Sequence, residues 1–118
     1  MKRIYVVDDS KEIRQRLIGL LSDDQNVQIV GQSATAEDAS EGIDATSPDI
    51  MLLDIRLPGK SGIDLLREVK NRRPQMRVII MTNYDYPHYR RQSMEAGADL
   101  FFNKTREFES LIEELKRM

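Results

Sequence analysis

Five short apolar runs, each followed by a stretch long enough for a helix, constrain this chain more than any other feature of its sequence. The runs are Ile4–Val7, Val27–Val30, Ile50–Leu53, Val78–Met81 and Leu100–Phe102, rich in the branched and aromatic side chains that favour extended backbone. Three of the intervening stretches carry helical spacing. Ile13, Leu17, Leu20 and Leu21 recur at i, i+4, i+7 and i+8. Ser61 stands three residues before Asp64 as a capping box, ahead of the face Ile63, Leu66 and Val69, and Pro74 stops that helix. Phe108, Leu111, Ile112 and Leu115 form one stripe after Thr105, the expected N-cap. The second stretch (about Thr35 to Ala45) and the fourth (about Pro87 to Ala96) are less periodic, although Gly97 suits a left-handed stop.

Strand followed by helix, five times over, predicts an α/β protein: a parallel sheet with right-handed crossovers and helices on both faces. The first, third and fourth runs are apolar at nearly every position, as strands covered on both faces are. Gln28 interrupts the second run, which therefore suits an edge. A length of 118 residues fits one domain, 1–118, able to bury a core without disulfides or metal staples. There is no cysteine, so disulfides, thiolate metal sites and cysteine nucleophiles are excluded. Eighteen basic residues against 20 acidic ones give a net charge of −2, which argues against direct nucleic-acid binding through phosphate contacts. No apolar run approaches the roughly 20 residues of a membrane span. The opening Met1-Lys2-Arg3-Ile4-Tyr5-Val6-Val7 runs straight into carboxylates, unlike a signal peptide. The expectation is a cytoplasmic protein.

In open α/β sheets ligands bind beyond the carboxyl ends of the strands, so the residues that follow each run matter most. They are Asp8-Asp9, Asp54, Thr82 and Asn103-Lys104. Any one alone fits a helix cap or a solvated side chain. Together they are harder to dismiss, because three converging carboxylates repel one another and burial raises their pKa values. A divalent cation relieves both effects. Oxygen ligands without His or Cys select a hard ion, Mg²⁺ or else Mn²⁺. Three carboxylates leave an octahedron incomplete, with room for water, a main-chain carbonyl and a ligand oxygen. A cation, the Lys104 ammonium and the Thr82 hydroxyl around one carboxylate make a phosphoryl site with Asp54 as nucleophile. Catalysis there is positioning and charge neutralisation, and an ionised carboxylate needs no general base. His88, the only histidine, lies in a polar stretch and reads as surface.

On these residues the chain resembles the receiver domain of bacterial two-component response regulators, over essentially its whole length. The acidic pair Asp8-Asp9 ends the first strand, and Asp54 stands at the phosphoacceptor position. In Asp54-Ile55-Arg56-Leu57-Pro58-Gly59-Lys60-Ser61-Gly62, proline follows four residues on and glycine eight. Thr82 and Lys104 are spaced as in the family, with Phe101 three residues before the lysine. The resemblance implies the flavodoxin-like (βα)5 three-layer sandwich, strand order 2-1-3-4-5. It implies that Asp54 accepts a phosphoryl group from a phosphohistidine on a histidine kinase or phosphotransfer protein. Asp8, Asp9, Asp54 and the backbone carbonyl of Arg56 would hold the cation. Lys104 would pair with Asp54 or the phosphoryl, Thr82 would bind a phosphoryl oxygen in the active state, and Phe101 would be the rotamer switch. Phosphorylation would shift the population toward that state and remodel the face of the fourth helix, fifth strand and fifth helix for a downstream target, or link two copies into a homodimer.

The chain departs from the family at Thr105, where proline is usual after the lysine; the Lys104–Thr105 bond is expected to be trans or strained. Asn83 stands where a small residue is usual, and Tyr84 and Arg56 flank the phosphoryl entrance, which predicts slow self-dephosphorylation. Phe101 lacks a hydroxyl, so an inward rotamer buries no polar atom. Of Phe101 and Phe102, one is expected to be plain core. Tyr84, Tyr86 and Tyr89 read as a solvated loop, and Arg72-Arg73 and Arg90-Arg91 as solvated faces. The expectation is a signalling phosphoacceptor that assists its own phosphotransfer and slow autodephosphorylation, not an enzyme acting on a separate substrate. An aspartyl-phosphate phosphatase would need an acid two residues beyond its nucleophile, but Arg56 follows Asp54 and Ser10 follows Asp8 at that distance. A flavodoxin-type carrier would have its flavin phosphate repelled by Asp8-Asp9-Ser10-Lys11. An interaction module that is never phosphorylated is the third rival. The chain stops at Lys116-Arg117-Met118. With Asn103 to Glu109 similar to tails of chemotaxis-regulator-like single-domain receivers, a stand-alone protein is expected, the alternative being the receiver of a larger transcriptional regulator.

Overall fold

Side chains alternate along a strand, and here each alternation feeds two separate cores. The computed structural model describes residues 1–118. In chain order it contains β1 (Lys2–Val7), α1 (Lys11–Leu21), β2 (Val27–Ser33), α2 (Ala36–Thr46), β3 (Ile50–Leu53), α3 (Gly62–Arg72), β4 (Arg77–Thr82), α4 (Pro87–Glu95), β5 (Leu100–Asn103) and α5 (Phe108–Arg117). All pairings are parallel and the order is β2-β1-β3-β4-β5, the flavodoxin-like arrangement. On one face Tyr5, Val7, Met51, Leu53, Val78, Ile80 and Phe101 pack against α2, α3 and the underside of α4. On the other, Ile4, Val6, Ile50, Leu52, Ile79 and Met81 pack against Leu17 and Leu21 of α1 and the Phe108–Leu115 stripe of α5. Phe101 belongs to the first core, while Phe102, half-buried, leans on the second. No helix is long and apolar enough to cross a membrane.

Several local expectations need correction. Leu20 is 41% exposed, because α1 turns it away from α5 and the sheet. Thr105 does not cap α5. Glu107 occupies the cap position without a side-chain cap bond, and Thr105 Oγ1 donates instead to Asn83 Oδ1 at 2.8 Å. The Asn103 amide oxygen organises that turn by accepting from the N–H groups of Thr105 and Arg106, at 2.9 and 2.8 Å. Ser61 Oγ accepts from the Asp64 N–H as expected. The Lys104–Thr105 bond is trans, as are all the others.

The second strand is an edge but runs three residues beyond Val30. A bulge lets Ile29 face Ile4 and Gly31 face Tyr5, so Val30 is skipped and Gln32 and Ser33 come level with Val6 and Val7. Gly31 is required there, since a Cβ would lie 2.5 Å from the Tyr5 ring. The Tyr5 hydroxyl in turn bonds buried Ser33. Gly62 has a comparable role at the start of α3. A Cβ there would lie 2.2 Å from the Asp54 carbonyl oxygen, and the glycine lets α3 begin directly beneath the end of β3.

Candidate functional site

The parallel sheet delivers Asp8, Asp54, Thr82 and Asn103 to one rim, at or just past the ends of four adjacent strands. Asp8 is fully buried and every polar atom it owns is engaged. Its N–H donates to the Ser33 carbonyl (3.1 Å), extending the β1–β2 ladder. Its carbonyl accepts from Arg14 Nη1 (2.5 Å), Oδ1 from the Ser10 N–H (2.8 Å) and Oδ2 from Lys104 Nζ (3.0 Å). Asp54, 3% exposed, donates its N–H to the Val7 carbonyl (3.0 Å). Its Oδ2 accepts from Lys104 Nζ at 2.8 Å, and the Arg56 N–H lies 3.3 Å from Oδ1. Asp9 is exposed and makes no side-chain hydrogen bond, yet one carboxylate oxygen from each of Asp8, Asp9 and Asp54 lies within 4.8 Å of the others.

Electrostatics follow from this packing. Burial pushes the Asp8 carboxyl above its ordinary value; the Ser10 N–H and the Lys104 ammonium pull it down, the neighbouring Asp54 pushes it up, and burial prevails. For Lys104, burial acts against the charge, but hydrogen bonds and attraction from Asp54 and Asp8 outweigh it and hold the ammonium above its ordinary value. One cation thus serves two buried carboxylates, with a third carboxylate at hand. The donor set is entirely hard oxygen, and the one positive charge already present is two short of the three anions. This set fits Mg²⁺ or Mn²⁺ in a partly open coordination sphere.

The remaining expected residues surround this cluster. Thr82 is buried at the end of β4, its Oγ1 accepting from the Tyr84 N–H (3.1 Å), and its carbonyl accepts from the Lys104 N–H. The Arg56 side chain stacks on Tyr84, guanidinium carbon 4.4 Å from the ring centroid. Phe101 is buried among first-core residues, with Arg90 above its ring at 5.2 Å; it is not part of the polar cluster. His88 is exposed, with its ring beside those of Tyr86 and Tyr89. Ser10, Arg14 and Gln32 were not among the residues expected from sequence, and Asn103 was singled out by its place after the fifth run but given no role. Ser10 had a legible signal, since a serine after a strand and before an apolar-periodic stretch is an N-cap, and its Oγ does accept from the Ile13 N–H. Arg14 had none, because one arginine on a helix resembles any other.

A cavity of about 740 Å³ opens at the opposite end of the strands, beside Lys2, Asp49, Arg72, Arg73 and Arg77. Most of its cations are already committed: Lys2 Nζ bonds the Leu115 and Lys116 carbonyls at the end of α5, and Arg72 holds Asp44. It offers no convergent chemistry, and the acidic rim does.

Known proteins agree with the fold and its class. Residues 4–116 match the response regulator receiver domain family. The DNA-binding transcriptional activator DevR/DosR of Mycobacterium tuberculosis is 34% identical over 98 residues, covering 83% of this chain and 45% of that protein. A CheY-like receiver domain protein from Methanospirillum hungatei superposes with a TM-score of 0.90 at 30% identity, covering 99% of this chain and 92% of that one. A LuxR-family DNA-binding response regulator from Staphylococcus aureus gives 0.90 at 25% identity, covering 99% and 98%. The chain spans about half the length of the curated relatives it matches. With five parallel strands in this order and a family match over nearly its whole length, the chain belongs to the response regulator receiver domains, the phosphoacceptor modules of two-component signalling.

Proposed function

We propose that Asp54 accepts the phosphoryl group, from a phosphohistidine on a histidine kinase or phosphotransfer protein. The observation that carries this reading is the Lys104 ammonium, which spans Asp54 Oδ2 and Asp8 Oδ2 at 2.8 and 3.0 Å beside a third carboxylate. A carboxylate oxygen of Asp54 forms the new O–P bond, the P–N bond of the donor breaks, and the imidazole leaves with the electron pair. Mg²⁺, or Mn²⁺, held by Asp8, Asp9, Asp54 and the Arg56 carbonyl, would neutralise charge on the phosphoryl oxygens. Lys104 holds Asp54 oriented beforehand, then follows the charge onto the phosphoryl group. Thr82 exchanges the Tyr84 N–H for a phosphoryl oxygen, which requires the β4–α4 loop to move.

The added negative charge favours the conformation in which Thr82 and Lys104 reach it. Phe101, beneath α4, then changes rotamer, and the α4–β5–α5 face carries the result to a target protein in the cytoplasm or to a second copy of the chain. Arg56 stacked on Tyr84 supports slow hydrolysis by shielding the acyl phosphate. Arg56→Ala should shorten the phosphorylated lifetime several-fold in a decay assay by intact mass, and an unchanged lifetime rejects the shield.

The site itself is tested by incubation with acetyl phosphate and Mg²⁺ followed by intact mass. Wild type should gain one phosphoryl group and Asp54→Ala none. No gain in wild type would favour an interaction module that is never phosphorylated. A second reading concerns output. The expectation of a stand-alone receiver competes with a receiver inside a transcriptional regulator, which two of the relatives favour because they are named as such and are about twice as long. An immunoblot of the native cell distinguishes a 118-residue protein from one of roughly double the mass.

A further inference from the structure

We infer that Arg14 is a positioning residue for the acidic corner, bracing the Asp8–Asp9 peptide so that the otherwise untethered Asp9 carboxylate is aimed at the cation. The inference rests on the proposed role of Asp8, Asp9 and Asp54 as metal ligands.

The argument starts from the peptide plane. The Asp8 carbonyl and the Asp9 N–H and Cα belong to one rigid unit, so whatever holds that carbonyl fixes the N–Cα bond about which the Asp9 side chain can turn. No other hydrogen bond reaches that unit, while the Ser10 N–H, bonded to Asp8 Oδ1, anchors the peptide that follows. Asp9 is exposed and no hydrogen bond holds its carboxylate, whereas Asp8 is tied through its own side chain by Ser10 and Lys104. Arg14 Nη1 donates to the Asp8 carbonyl at 2.5 Å while Nε donates to Gln32 Oε1 at 2.9 Å. Two donors on one planar fork, one fixed to β2 and the other just past the end of β1, leave the guanidinium little freedom. The second anchor exists because of the bulge in β2, which brings Gln32 level with Val6. The first turn of α1, capped by Ser10, sets the base of the side chain. The brace therefore draws on β1, β2 and α1 together.

A mere strut between α1 and β2 and a positioning role predict different outcomes. On charge alone, removing a nearby cation strengthens binding of a second cation, so a loss of Mg²⁺ affinity in Arg14→Ala reports geometry. The test titrates Mg²⁺ into the full chain by calorimetry, with the Asp9 amide followed by NMR and the acetyl-phosphate labelling rate measured across Mg²⁺ concentrations. Arg14→Ala should weaken Mg²⁺ about tenfold, the lower end for residues that orient metal ligands. Arg14→Lys, with one donor head in place of a fork, should recover part of this. Gln32→Ala should shift affinity the same way by less and keeps the proposal testable if Arg14→Ala folds poorly. The labelling rate at saturating Mg²⁺ should stay within about twofold of wild type, because the reacting groups are untouched. Unchanged or tighter Mg²⁺ binding in both Arg14→Ala and Gln32→Ala overturns the inference, as does a maximal rate that falls in step with affinity. If wild type and Asp9→Asn alike fail to bind Mg²⁺, the metal-ligand reading falls first and takes this one with it.

Discussion

The β1–α1 corner and α4 lie at the same end of the sheet and are built to opposite standards. At the corner, each polar atom of Asp8 has a partner, the helix that follows is capped by Ser10, and two side chains of α1 enter the core completely. In α4 the N-cap, Tyr86, makes no side-chain bond, the only buried residue is Ser93, and the Ser93 hydroxyl is the one buried side-chain polar atom without a partner. The loop before α4 is tied down from outside. Asn83 bonds Thr105, Tyr84 stacks under Arg56, and Asp85 pairs with Arg106, all through exposed or half-buried side chains. Such contacts are individually weak and easily exchanged. Phosphotransfer needs groups held in place before the reaction, whereas a readout needs an element that few contacts commit to one position. The contrast matches the proposed division between chemistry at Asp54 and signalling through α4.

The contrast can be broken at its rigid end first. Lys104→Met leaves the buried Asp8 and Asp54 carboxylates without their shared cation and should cost roughly 3 kcal/mol in metal-free urea unfolding, with partial recovery on adding Mg²⁺. A small cost would mean that the corner is not held by charge. Asp8→Asn removes the carboxylate that burial disfavours while keeping an acceptor for Ser10. Metal-free protein should become more stable, its urea midpoint rising by less than the Lys104 variant falls, and stabilisation by Mg²⁺ should disappear. A lower midpoint would show that the acidic corner is not strained before it binds a cation.

At the soft end, Ser93→Ala deletes the unpartnered hydroxyl and should stabilise the protein by about 1 kcal/mol, with slower amide exchange confined to α4. Loss of stability would reveal a partner for that hydroxyl and remove half of the contrast. The smallest effect is expected far from both regions. The Arg72 and Arg73 guanidinium groups hold the exposed Asp44 carboxyl below its ordinary value of 3.8, linking α2 to α3. This contribution is fully present above that value and is lost as pH falls through the lowered one. Asp44→Asn should therefore show a slightly reduced urea midpoint at about pH 7, a difference that shrinks as pH falls below 3.8. Salt at about 0.5 M should shrink the difference.

How much was legible follows the same division. The β1, β3 and β4 runs could be read because strands covered on both faces carry an unbroken apolar signal, as in Ile50–Leu53, where every residue is buried. The convergence of the candidate site residues could be read because they come directly after those runs: Asp8 after Val7, Asp54 after Leu53, Thr82 after Met81. Where the signal depends on partners distant in sequence, reading failed. The end of β2 was missed because Gln32 and Ser33 are strand residues only by pairing across a bulge with Val6 and Val7. Thr105 resembled a cap, but its hydroxyl bonds Asn83, 22 residues away. Leu20 fits the apolar period of α1 and still faces water, since periodicity does not say how wide a stripe the neighbouring helix covers.

The amino-acid sequence by itself determined the alternation of strand and helix, which strands lie inside the sheet, and which acids and cations end up at the same rim. These follow from local periodicity and from the rule that a parallel sheet brings all its strand ends to one side. Only the tertiary structure decided that one lysine would bridge two buried carboxylates, that Arg14 would reach the Asp8 carbonyl, and that Ser93 would be buried without a partner. Those outcomes depend on distances between side chains up to 96 residues apart, and on which of them lose contact with water. The chain's local pattern specifies neither until the layers have packed.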